Sequence, residues 1–388
     1  MKSSVSRGQD WLLIIATFLL GVFGLLMVFS SSYIYALYKN GNYAFFFQRQ
    51  LMWFTLATFA FIFFLFVPYQ KYRKITVYLY FLAVALLVLV PLVGVEINNA
   101  KRWLSFGPFT VQPTEFVKLA MIIYLAHVYS NKNSYIDNFV RGVMPPLIAV
   151  AVILGLIMLQ PDLGSATAIL AVTCCIVFFS GAKMRHLLGL GLVVASLFVA
   201  FAISEEYRLE RLTSFVNPFQ YADDSGYQVI QAYIGIAHGG LTGTGIGNSV
   251  IKHMFLPEPH TDFILAVILE ELGIFGAIFI FACYSIILIR GVYIGIRCKN
   301  LFGSLLAFGI VFQIMIQVVF NVGAVIGLLP ITGIPLPLIS NGGSSLLVTM
   351  VSLAILANIS KYNMREKEKH SKKEGGNNGR AEVTYTAN

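Results

Sequence analysis

Apolar residues run in blocks of about twenty along this chain, separated by short polar breaks. A bilayer core about 30 Å thick needs roughly 20 apolar residues per helical crossing. The pattern predicts ten spans, near 11–32, 50–68, 75–95, 114–130, 143–160, 163–181, 185–203, 263–289, 303–327 and 343–360. The expected fold is therefore all-α: a polytopic membrane protein with ten transmembrane helices and a large extracellular loop, 204–262, between spans seven and eight. The first block exceeds 20 apolar residues and ends in Ser30-Ser31-Ser32-Tyr33 without a small-x-small pattern, so it reads as a span rather than a cleaved signal peptide. Residues 1–10 read as a cytoplasmic N-terminus, 11–361 as one membrane domain and 362–388, rich in Lys, Glu, Gly and Asn, as a disordered cytoplasmic tail.

Composition sharpens this picture. Of 388 residues 57% are hydrophobic and 12% charged, about half the charged share of a soluble domain. With the N-terminus inside, 19 Lys and Arg fall on the inner side and 7 on the outer side. The positive-inside rule then places both termini in the cytoplasm. The net charge of +9 is accounted for by topology and contact with anionic lipid. Nothing in the chain resembles a folded basic domain, so nucleic acid is excluded as a partner. Cys174, Cys175, Cys283 and Cys298 lack CxxC spacing and suggest neither disulfides nor zinc.

The chemistry-bearing residues gather on the outer side. In the stretch 98–118, Pro113, Thr114 and Glu115 read as a helix start. Glu115 and Lys118 are three apart on one helix face and can pair. They form either a structural ion pair or a positive charge presented to an anionic headgroup. Trp103 suits an interfacial anchor. Asp162, in Gln160-Pro-Asp-Leu-Gly-Ser165, sits at another outer helix start and reads also as a cap.

The long loop adds three features. Residues 226–238 carry apolar positions at helical spacing, as in a short helix lying on or re-entering the membrane. The run Gly239-Gly-Leu-Thr-Gly-Thr-Gly-Ile-Gly247 suits either a flexible turn or a backbone cradle for phosphate oxygens. Then Pro257 and Pro259 keep the chain extended before span eight, where Thr261 or Asp262 can cap the helix. Capping does not explain why Glu258, His260, Glu270 and Glu271 crowd the same helix start. Carboxylates at that depth are expensive unless they face a polar cavity. The last outer segment, 327–345, is apolar but broken by Pro and Gly, and should line the same cavity.

Four of these segments together resemble the SEDS family (shape, elongation, division and sporulation). They are Ala100-Lys-Arg-Trp103 with Gln112-Pro-Thr-Glu-Phe-Val-Lys118; Gln160-Pro-Asp-Leu-Gly164; Leu256-Pro-Glu-Pro-His-Thr-Asp-Phe263 with Glu270-Glu-Leu-Gly273; and Pro330-Ile-Thr-Gly-Ile-Pro-Leu-Pro-Leu-Ile-Ser340 with Gly342-Gly-Ser-Ser345. The similarity spans roughly 11–361 and leans to the FtsW and SpoVE branch. Asn341 departs from it, since relatives usually carry Tyr or Phe before the Gly-Gly.

The resemblance implies an inverting peptidoglycan glycosyltransferase of the bacterial cytoplasmic membrane. Its site would lie outside, polymerising lipid II onto a glycan held on undecaprenyl pyrophosphate, in cell division or cell shape. By this resemblance Asp262 is the catalytic aspartate, in the role of general base. Lys101, Arg102, Trp103, Glu115, Lys118, Asp162, Glu258, His260 and Ser344 are the substrate-binding residues it implies. A divalent cation, Mg or Mn, is the expected cofactor, with no metal ligands assigned. The expected partners are a class B penicillin-binding protein and the division or elongation machinery. A lipid II flippase is the first alternative, but it would place polar residues near the midplane in paired halves. A non-catalytic divisome scaffold is the second, and it would need no particular acid at position 262.

Overall fold

Within lipid every backbone N–H and C=O must be satisfied inside its own segment, so apolar blocks of this length become helices. The computed structural model describes residues 9–97, 100–107, 109–189, 191–192, 215–222 and 226–384. In order these form α1 (Trp11–Asn40), α2 (Phe45–Phe66), α3 (Tyr72–Val93), β1 (Val95–Ile97), β2 (Ala100–Phe106), β3 (Phe109–Val111), α4 (Pro113–Asn131), α5 (Met144–Met158) and α6 (Leu163–Phe179). They are followed by α7 (Tyr227–Gly239), α8 (Ile264–Arg297), α9 (Leu301–Val325) and α10 (Gly343–Thr384).

Seven helices among the described residues are long and apolar enough to cross a membrane: α1, α2, α3, α5, α8, α9 and α10. The shorter α6 is apolar too, and α4 lies on another expected block. The expected span 185–203 lies outside the described residues beyond 192, as does the loop from 204 to 214. The helix predicted within the loop is present as α7.

Burial sorts the helices into centre and rim. In the apolar windows of α9 and α10, 72% and 89% of residues are buried; in α2 and α3 only 28% and 22%. Phe59, Phe63, Tyr78 and Phe81 on the rim point outward, as suits lipid. The ends are held by polar caps. Asp10 accepts from the Leu13 amide and pairs with Arg290 at 2.7 Å, joining the start of α1 to the inner part of α8.

Two differences from the sequence expectation have local causes. The fold is not purely helical: β1, β2 and β3 form an antiparallel meander, with Glu96 opposite Lys101 and Leu104 opposite Val111. Strands of three to seven residues are too short to show a period. The available signal was Gly107, at φ 64°, in the turn between β2 and β3. At the other end, α10 continues through residues 362–384, where the sequence suggested disorder. That stretch has no proline, and Glu368 and Lys372 stand at the i,i+4 spacing that supports a helix.

The third notable feature is a break inside α8. Gly273 has φ 58° and ψ −148°, splitting the helix into 264–272 and 274–297. The glycine run 239–247 packs into this break. The Thr244 and Gly245 amides donate to the carbonyls of Glu270 and Glu271, and the Ile274 amide donates to Leu241. Backbone meets backbone there: a Cβ at Gly243 would lie 2.2 Å from the Glu271 oxygen.

Gly243→Ala should therefore cost about 3 kcal/mol or more, combining left-handed strain with a backbone clash. Gly247, also at positive φ, has open space around it, and Gly247→Ala should cost only about 1–2 kcal/mol. Thermal unfolding in detergent separates the two.

Candidate active site

The four motif segments converge through hydrogen bonds, with the start of α10 at their junction. Gln112, just before α4, gives its amide N–H to Ser344 Oγ (3.2 Å) and its side-chain N–H to Asp162 (3.2 Å). Asn341 gives its amide to the His260 carbonyl (2.9 Å). Arg102, on β2, donates Nε to the Gln160 carbonyl (3.1 Å) and a terminal nitrogen to the Pro161 carbonyl. Gln50 of α2 closes the ring, donating to Ser340 O and accepting from the Gly342 amide.

Within this frame the carboxylates take different parts. Asp162 is buried and caps α6, accepting from the Ser165 amide at 3.1 Å while also accepting from Thr114 Oγ1 at 3.3 Å. The capping role read from sequence is present, and the same side chain ties α6 to α4. Glu115 pairs with Lys118 at 2.6 Å, and both side chains are only 4% exposed. The structural ion pair is thus what the geometry contains. The pair lines a small cavity of about 10 Å³, room for about one water, together with Gln313, Gln317, Thr349 and Ser352. Lys101 is exposed on the meander; Arg102 and Trp103 are half-buried.

Asp262 stands apart from its acidic neighbours. It is half-buried, accepts from Thr261 Oγ1 at 2.9 Å, and precedes Phe263, which occupies the N-cap position of α8. Its backbone carbonyl accepts from Asn321 Nδ2 (2.7 Å), which also donates to the Ile334 carbonyl (2.9 Å). Glu258 lies in the turn before it at φ 45°, with its carbonyl accepting from Thr261.

His260 is 2% exposed. Its ring lies against Phe46 (centroids 4.2 Å apart) and Tyr35 (5.4 Å). Burial, helped by the charge on Lys39, pushes its pKa down to about 3. The imidazole is therefore neutral and packs the turn in place. Ser344, at 2% exposed, is likewise occupied with Gln112.

Glu270 and Glu271 do not face an open cavity. Both are fully buried and bolt the 238–252 segment to α8. Glu270 accepts from His238 Nδ1 (2.8 Å), the Val250 amide (2.8 Å), the Ile251 amide (3.3 Å) and Ser249 Oγ. Glu271 accepts from Lys252 Nζ (2.6 Å) and Ser30 Oγ (2.6 Å). The Lys252 ammonium also lies 5.0 Å from the Tyr33 ring centroid. The Thr244 and Gly245 amides bond the carbonyls of Glu270 and Glu271, so the glycine run serves close approach to α8. Lys252 was overlooked in the sequence. Its signal was available, because two carboxylates in an apolar run require a cation nearby.

Beside the polar site lies an apolar groove of about 660 Å³ between α2, α3, α4 and α10, with Phe59, Phe63, Leu79, Leu82 and Phe116 among its walls. Leu119 and Val348 line both this groove and the cavity of the Glu115–Lys118 pair. Among the described residues no three His, Cys, Asp or Glu side chains converge to hold a metal ion.

The chain resembles known proteins over nearly its whole length. Residues 10–365 match the family FTSW_RODA_SPOVE, described as a cell cycle protein. The chain is 43% identical to the "Probable peptidoglycan glycosyltransferase FtsW" of Bacillus subtilis, covering 95% of each chain. It is 42% identical to that organism's "Stage V sporulation protein E", covering 91% of this chain and 97% of the relative. Among solved structures, one described as "Structural coordination of polymerization and crosslinking by a peptidoglycan synthase complex" superposes with a TM-score of 0.77 at 28% identity, covering 92% of this chain and 98% of that one.

Lys252→Met leaves Glu271 buried without its cation and should cost about 3–5 kcal/mol. Adding Glu271→Gln should recover most of the loss, read by thermal unfolding in detergent. For His260, the unfolded chain takes up a proton near pH 6.5, whereas the folded protein resists it down to about pH 3. Its contribution is complete above pH 6.5 and falls away as the pH drops below that. The Tm of the parent should therefore fall more steeply between pH 6.5 and 4 than that of His260→Phe.

Proposed function

The chain belongs to the FtsW/RodA/SpoVE family of cell cycle proteins, within the SEDS group, and is a peptidoglycan glycosyltransferase; we propose that it polymerises lipid II with Asp262 as general base. The carrying observation is the contrast among the acids of one segment. Glu270 and Glu271 are fully buried and consumed by structural partners, while Asp262 reaches solvent from a turn clamped on both sides.

In the proposed step the 4-hydroxyl of the acceptor sugar gives its proton to the Asp262 carboxylate. The hydroxyl oxygen attacks the anomeric carbon of the donor glycan. The bond from that carbon to the diphosphate oxygen breaks, and undecaprenyl diphosphate leaves with the electron pair. Direct displacement inverts the centre, so one carboxylate suffices, unlike the close pair of a retaining glycosidase. Positive charge from Arg102 favours the charge growing on the leaving diphosphate. The apolar groove of about 660 Å³ suits the polyprenyl tail, letting the lipid enter from the bilayer with its headgroup at the polar site. A Mg or Mn ion fits this reading only as a companion of the diphosphate. Such ions are commonly held by one or two carboxylates plus phosphate oxygens rather than by a protein cage.

The same reading takes ten spans, both termini in the cytoplasm and the site on the outer face. It rests on the excess of basic residues on the inner side. A class B penicillin-binding protein is the proposed partner, in the division or elongation machinery. The structural neighbour described as a peptidoglycan synthase complex supports that pairing.

Purified protein given lipid II and a divalent cation should form glycan strands, with the partner transpeptidase added if needed. Asp262→Ala should fold normally by size exclusion and lose about 10²-fold or more in rate. Equal product from both proteins would remove Asp262 from the chemistry.

A further inference from the structure

Asn321 sits four residues from the end of α9, on the face that also carries buried Gln313 and Gln317, and is only 2% exposed. An amide in that position costs free energy unless its polar atoms are bonded. Its two N–H groups are bonded, one to Asp262 O and one to Ile334 O. Its Oδ1 has no hydrogen-bond partner among the described residues. The side chain is therefore kept at a cost, for its two donors. Both acceptors are carbonyls of non-helical backbone, in the turn before α8 and in the Pro-Gly-broken segment before α10.

We propose that Asn321 is a positioning residue for the transfer reaction: its amide forks across two outer segments and fixes the peptide from which the Asp262 side chain projects. The bonded carbonyl belongs to the peptide linking Asp262 to Phe263, so holding it sets the direction of the Asp262 Cα–Cβ bond. A second tether holds the other end of the same turn, where the Asn341 amide donates to His260 O. Both tethers lead to the 334–341 segment. Asp262 thereby keeps a constant relation to Ser344, Gln112 and Asp162 across the junction. A displacement of about 1 Å at a reacting group can cost about 10²-fold in rate. The buried fork is thus placed to govern turnover while touching no substrate.

This inference rests on Asp262 being the base, and the test separates the two. Asn321→Asp is nearly isosteric but replaces both donors with an acceptor facing two carbonyls. Asn321→Ser, a milder variant, retains one donor. In lipid II polymerisation, Asn321→Asp should lower kcat about 10²-fold with KM for lipid II within about threefold of the parent. Asn321→Ser should fall between them, with a Tm close to that of the parent. Parent-like kcat in a folded Asn321→Asp, or in Asn321→Ser if the first does not fold, would overturn the inference. So would a rise in KM that accounts for the whole loss. An Asp262→Ala protein that polymerises normally would instead overturn the assignment of the base.

Discussion

A carboxylate in an apolar bundle must carry its partner with it, and Glu270 and Glu271 show what that requirement builds. Both are fully buried on the inner half-turn before the break in α8. Lys252, Ser30, Ser249, His238 and two backbone amides come to them. Each of those donors lies on a different stretch of chain from α8, so satisfying two charges fixes a loop and the outer part of α1 against one helix. The break at Gly273 belongs to the same arrangement. Opening the helix there lets the Glu270 and Glu271 carbonyls take amides from the glycine run.

From that anchored half-helix the chain runs back to the Asp262 turn, which is held through its backbone and the His260 ring. His260 fills an aromatic slot from α1 and α2; its carbonyl and that of Asp262 are taken by Asn341 and Asn321. Backbone and ring therefore hold the turn, and the Asp262 side chain sits at a half-buried surface beside Thr261. Asp162 illustrates the opposite use of the same residue type. Its oxygens cap one helix and receive side chains from the start of another, which suits rigidity rather than proton transfer.

The two environments beside the site divide a lipid-linked sugar sensibly. The Glu115–Lys118 pair and its polar neighbours line a small cavity between α4, α9 and α10, and the apolar groove opens next to it between rim helices. Leu119 and Val348 belong to both walls, so the small cavity and the groove share one edge. The central helices α9 and α10 are the least lipid-exposed and supply the most polar side chains to this junction.

The sequence by itself determined what depends on local pattern. Blocks of twenty apolar residues can satisfy their backbone in lipid only as helices, so nine expected spans lie on described helices. Glu115 and Lys118 had to meet because three residues of helix place them on one face. The order of the outer motifs was enough to indicate the family. Pairings across long separations were decided by the tertiary structure: Glu271 with Lys252 and Ser30, Asn321 with Asp262, Gln112 with Ser344. Spacing along the chain carries no information about which helix packs against which. That is why the sequence did not show His260 and Ser344 to be buried, and why the glycine run, open to a flexible turn or a phosphate cradle in the sequence, is seen only in the fold to pack into the break in α8. The short strands escaped notice because hydrogen bonding between neighbours creates them, and three residues show no period of their own.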